Sequence, residues 1–160
     1  MTLQTSVNSK QAFGLVGTFY DDSPRRVAPY TILAAAGGTP AKIGYAFTSA
    51  VATPEKASAG GSNVFAGVLV SPKELTIDGL SATLEVSAGT IGELCTMGHV
   101  IVKPSTAVSI GYVAAYNTTT GEIAGYSAAA QIPETHAAIP NGKFVLVNAS
   151  VGEVAVLELS

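Results

Sequence analysis

The chain has 160 residues, eight basic against eleven acidic side chains for a net charge of −3, and only 12% charged residues, about half the roughly 25% of an ordinary soluble domain. So few cations exclude the basic footprint that phosphate contacts require; the 48% hydrophobic content excludes wholesale disorder; one cysteine excludes an intrachain disulfide framework. The polar half is mostly Ser, Thr and Gly, a surface suited to lying against other proteins, so an assembly component is expected before an enzyme.

Residues 1–26 lack sustained alternation. Scattered anchors (Leu3, Val7, Phe13, Leu15, Val16, Phe19, Tyr20) are separated by polar or glycine positions, and the run ends in the turn-prone Asp21-Asp22-Ser23-Pro24. Such a segment has no continuous apolar face of its own. It reads as an N-terminal arm ahead of a single β domain over 27–160, with an edge segment wrapped on that domain as the alternative. No basic run followed by an apolar stretch marks a secretory signal, and nothing reaches the roughly 18–20 apolar residues of a spanning helix.

From Val27 the pattern is β. Short runs rich in Val, Ile, Tyr and Phe predict strands over 27–33, 42–48, 63–70, 82–87, 99–103, 108–116, 122–126, 143–148 and 153–159. Gly, Pro and Asn punctuate the gaps, and many short strands so spaced predict an all-β antiparallel sandwich or barrel. Residues 50–63 are small and polar and read as a long surface loop. Asn117-Thr118-Thr119-Thr120-Gly121 predicts a hairpin loop, and Asn141-Gly142 a second turn. In the last run Val154 and Val156 fall on one face and Ala155, Leu157 and Leu159 on the other, as in a strand with partners on both sides. The alanine triplets at 34–36 and 128–130 leave room for a turn or two of helix at most, because Gly37 and Pro133 follow them.

The inventory for chemistry is thin. His99 and His136 lie far apart, each beside hydrophobic residues. Cys95 and His99 are spaced i, i+4, but Met97-Gly98 and the β pattern argue against a helix, and two ligands do not make a structural zinc site. A buried thiol and a half-buried imidazole are expected. Glu74, Asp78, Glu85 and Glu93 are spread over different segments, so no catalytic residue, metal site or cofactor is expected.

Several blocks, in order, resemble the structural cement proteins that decorate tailed-bacteriophage capsids. These are Gln4, Val7-Asn8, Gly14, Gly17-x-Phe19 and Asp22-x-Pro24-Arg25, then Phe65-Ala66-Gly67-Val68-Leu69, Gly98-His99-Val100-Ile101-Val102, Gly111-Tyr112-Val113-Ala114-Ala115-Tyr116, Thr120-Gly121-Glu122-Ile123 and Gly152-Glu153-Val154-Ala155-Val156. The resemblance implies a jelly-roll-like domain, synthesised in the host cytoplasm and carried on the outer surface of the virion, that bridges neighbouring major capsid proteins. It implies self-association too, as a dimer in preference to a trimer, and neither nucleic-acid nor membrane partners. Leu3, Val7, Phe13, Phe19, Tyr20, Arg25 and Arg26 are the candidate capsid-binding residues, because aromatic and Arg side chains dominate interface hot spots. Tyr112, Tyr116 and Tyr126 are candidates for the oligomer contact, with packing inside their own domain as the alternative. A carbohydrate- or receptor-binding β-sandwich of a phage surface protein is the competing function.

Overall fold

The computed structural model describes residues 14–33, 41–71 and 85–160. Its strands are β1 Arg26–Ile32, β2 Ala41–Lys42, β3 Ala46–Ala50, β4 Thr53–Ala59, β5 Val64–Val70, β6 Glu85–Val86, β7 Ile91–Val102, β8 Val113–Asn117, β9 Ile123–Tyr126, β10 His136–Val145 and β11 Ala155–Leu159. One 3-10 turn, Ala129–Gln131, is the helical content among the described residues, so the all-β expectation holds. The first alanine triplet and the start of the strand expected at 82–87 lie outside the described residues.

Strand order explains the architecture. The main sheet runs β1-β4-β3-β5-β7-β11-β10-β8-β9, and β1 also pairs with β7. That extra pairing closes β1, β4, β3, β5 and β7 into a five-stranded ring. Strands β11, β10, β8 and β9 extend from β7 and curl back, while β2 and β6 pair with each other in a separate two-stranded sheet: beyond β7 the Ser105 N–H donates to the Ile123 carbonyl of β9 (2.8 Å), and the Gly125 N–H donates to Thr106 Oγ1 (2.9 Å). The result is a barrel-like, jelly-roll-like molecule. Among the described residues the strand pairs are antiparallel except β1 with β4, which meet in parallel at Thr31↔Lys56 and Ile32↔Ala57.

β7 belongs to both halves. Its first part pairs with β1 from Arg26↔Met97 to Thr31↔Ile91 and with β5 at Val68↔Cys95, Leu69↔Leu94 and Val70↔Glu93. Its last part pairs with β11 from Leu159↔Gly98 to Ala155↔Val102. Successive side chains on a strand point to opposite faces, so β5 and β7 feed two cores. Leu69 and Leu94 join Ile32, Phe47, Ala57 and Ala59 in the first. Val68, Val70 and Cys95 face the second, with Val100, Phe144, Leu157 and Leu159.

Two corrections to the sequence reading follow. The stretch 50–63 is not one long loop: half of it is β4, whose Ala57 and Ala59 are buried in the first core. Small alanines fill a narrow ring without leaving an apolar alternation to read. Asn141-Gly142 does not end a strand either. It sits inside β10, where Ala138 faces Ala115 and Lys143 faces Val113, so the intervening residues bulge out of register with β8. The predicted hairpin at 117–121 is present, joining β8 to β9.

That hairpin loop also ties the two halves together. The Ala46 N–H donates to the Gly121 carbonyl (2.8 Å), and the Gly61 N–H donates to the Thr118 carbonyl (2.6 Å). Tyr45 Oη donates to Glu122 Oε1 (2.9 Å), and burial with the adjacent carboxylate pushes the Tyr45 phenol up to about 12. Gly121 holds φ +82, and a Cβ there would sit 2.6 Å from the Ala46 carbonyl oxygen. Replacing Gly121 with Val is therefore expected to cost about 2 kcal/mol or more, from the strained φ and the clash together, read as a lower urea midpoint with an unchanged denaturant slope.

Candidate functional site

Residues 14–25 contain the first candidate contact residues that the structure describes, and β7 positions them. The Gly17 N–H donates to the Ile101 carbonyl (2.7 Å), the Ile101 N–H to the Thr18 carbonyl (2.9 Å) and the Tyr20 N–H to the His99 carbonyl (2.9 Å). Phe19 forms an isolated antiparallel bridge with Val100. The segment thus occupies the edge of β7 opposite β11. Gly17 is required there: it has φ +81, and a Cβ would lie 1.9 Å from the Ile43 side chain. On the other side the Ser71 N–H donates to the Gly17 carbonyl (2.9 Å).

Phe19 is half-buried against the larger core, and the Arg25 guanidinium carbon lies 4.6 Å from its ring centroid. Arg25 also reaches Asp22 at 4.0 Å. Tyr20 and Arg26 are exposed, with Arg26 opening β1 opposite Met97. Leu3, Val7 and Phe13 lie outside the described residues.

A polar cluster fastens the segment where it leaves β7. His99 Nδ1 lies 2.8 Å from Asp21 Oδ2, and because an ionised carboxylate only accepts, Nδ1–H is the donor. Ser23 donates twice to Asp21 Oδ1, from its hydroxyl (2.5 Å) and its backbone N–H (3.2 Å). Glu158 Oε1 of β11 lies 3.9 Å from His99 Nε2. The Ser23 hydroxyl is committed to Asp21 and the imidazole proton points at the same carboxylate, so this Ser, His and Asp do not form a relay that activates the serine. Their chemistry is a staple. None of these four residues was selected from sequence: the 21–24 run reads as a turn, and only the tertiary fold brings His99 and Glu158 to it.

The tyrosines separate. Tyr116 is 3% exposed and packs in the larger core, its ring centroid 6.0 Å from that of Phe65. Tyr112 packs partly buried against that core, and Tyr126 meets His136 edge-on at 5.8 Å. Burial raises the phenol pKa values of Tyr116 and Tyr126. Cys95 is buried, its Sγ donating to the Met97 carbonyl (3.1 Å), and burial pushes its thiol up. Among the described residues no three His, Cys, Asp or Glu side chains gather as metal ligands, and no helix is long and apolar enough to cross a membrane.

The hydrogen bonds from Ser23 and then His99 hold the Asp21 carboxyl below its ordinary value of 3.8. A depressed carboxyl stabilises the folded state above that ordinary value and ceases to do so as pH falls through its own lower one. The staple is therefore expected to persist at neutral pH and to loosen below about pH 4, seen as lost protection of the Tyr20 amide in hydrogen exchange while β10–β11 amides hold. Asp21→Ala is expected to give the same loosening at neutral pH.

Residues 3–160 match the family described as "Structural cement protein (E217 gp24/Pam3 gp6)". No curated protein matches the sequence. Among solved structures, a chain of "The capsid of Myoviridae Phage XM1" aligns with a TM-score of 0.67 at 14% identity, covering 100% of this chain and 98% of that one. At that identity the likeness speaks for the fold.

Proposed function

Because the chain belongs to the structural cement protein family of phages, and so is a structural component of the virion capsid, we propose that it binds the outer surface of an icosahedral head and bridges neighbouring major capsid proteins without catalysis. The observation that carries this reading is the family match over nearly the whole chain. The shape of the molecule supports it: the segment from Gly14 is fixed to the central strand by backbone hydrogen bonds and leaves Tyr20, Arg25 and Arg26 at the surface. Phe19 acts from below, holding Arg25 over its ring.

The physics of bridging does not demand a tight single contact. A specific interface buries about 1,600 Å² in total, and once one capsomer is engaged, the second contact is effectively intramolecular. A subunit that binds the assembled shell and not its separated proteins stabilises the shell by mass action. Self-association into a dimer would double the reach, with Tyr112, just ahead of β8, and Tyr126, at the end of β9, as its contact; Tyr116, buried in its own core, serves by packing the β8–β9 hairpin.

Deleting residues 1–13 is expected to abolish co-sedimentation with heads that lack this protein while leaving the far-ultraviolet β signal unchanged. Normal decoration by the truncated protein would refute the arm's role, and binding to a glycan array without binding to heads would favour a receptor-binding function instead.

A further inference from the structure

The registers of β7, β11, β10 and β8 bring four strand termini to one end of the molecule. β7 finishes and β11 starts at Ala155↔Val102, β10 finishes at Val145↔Val156, and β8 starts at Lys143↔Val113. The connections 103–112 and 146–154 leave from this end and are bonded to each other. Val108 and Ala149 exchange both backbone hydrogen bonds (2.9 and 3.0 Å), and the Ile110 N–H donates to Asn148 Oδ1 (2.9 Å). No charged side chain occurs between Lys103 and Glu122 or between Lys143 and Glu153.

Each connection presents aliphatic side chains to water. Ile110 is 59% exposed, Leu146 50% and Val151 66%. Leu146 is the informative one. It has φ +68, and the Val147 N–H donates back to the Val145 carbonyl (2.8 Å), which makes it the centre of a γ-turn of the rare, strained positive-φ hand. A branched, bulky residue is a poor choice for that conformation. A glycine would relieve the strain, and the half-exposed side chain returns too little burial in the free protein to offset it. Strain held in place at an exposed apolar residue points to a contact made elsewhere.

What covers this end is indicated by where the N-terminal segment starts. Gly14 rests on Ile101, so closely that a Cβ would lie 2.1 Å from its Cδ1, and Ile101 is one residue from the end of β7. Thirteen residues carrying Leu3, Val7 and Phe13 precede Gly14. The root of the proposed arm and the aliphatic turns therefore share one end of the molecule. We propose that this end, through Ile110, Leu146 and Val151, is a second contact with the shell, taken up by an uncharged apolar patch on the major capsid protein beside the arm's own site. The inference rests on the cement reading and extends it from the arm to the folded domain.

The test uses the full chain and purified heads that lack it, with Leu146→Gly and the double variant Ile110→Ser, Val151→Ser. Leu146→Gly is expected to melt at or above the temperature of the native chain, because strain is removed, yet to bind heads about tenfold more weakly, because an apolar side chain is lost from the contact. The double variant should weaken binding by at least as much with its fold intact. Native affinity in both variants overturns this inference and leaves the cement reading standing, whereas a native chain that ignores heads overturns both. Should the variants change the sedimentation coefficient of the free protein and leave head binding alone, the surface joins copies of this chain and the inference fails.

Discussion

Strand β7 carries the molecule because both of its edges and both of its faces are in use. Along its first part the edges are taken by β1 and β5, which closes the five-stranded ring. Along its last part they are taken by β11 and by the segment around Phe19. Leu94 fills one core and Cys95, Val100 and Val102 the other. A strand flanked on both edges offers little backbone to an unwanted partner, which matters for a protein with few charges to keep copies apart.

The same strand sets the position of the segment proposed to bind. Backbone pairing with Val100 and Ile101 fixes where the N-terminal segment begins, and the contact of His99 with Asp21 and Ser23 fixes where it turns away. Fixing residues 14–25 on β7 removes conformational freedom from that segment before any contact is made, which lowers the entropy cost of the proposed contact. The charged groups are few, but they are placed where they direct the chain: Arg25 over Phe19 and Asp21 against His99. In the proposed function, binding by such a molecule depends on shape and apolar contact, multiplied over a lattice.

Legibility from sequence followed the physics of burial. β5 and β11, rich in Val and Leu on both faces, could be read directly because both faces are buried. The hairpin at 117–121 was legible from its turn residues. By contrast β4, Thr-Pro-Glu-Lys-Ala-Ser-Ala, offers only alanines to a narrow interior, and the first part of β7 is interrupted by Gly92 and Glu93. In the site, Phe19 and Arg25 were visible as interface types, but the staple was not, because Asp21, His99 and Glu158 come from three separate strands or turns. The strain at Leu146 leaves no mark in sequence at all, since an ordinary Leu between two valines reads as strand.

The central claim is that one end of this barrel-like β molecule, where Gly14 rests on Ile101 and β7 finishes, faces the capsid. A cryo-electron microscopy map of the intact head tests it most directly. The account predicts density for residues 1–13 running into the shell, with the Ile110 and Leu146 turns seated on the major capsid protein. A map in which the opposite end, at Leu33 and Ile91, meets the shell while those turns stand free in solvent would contradict it.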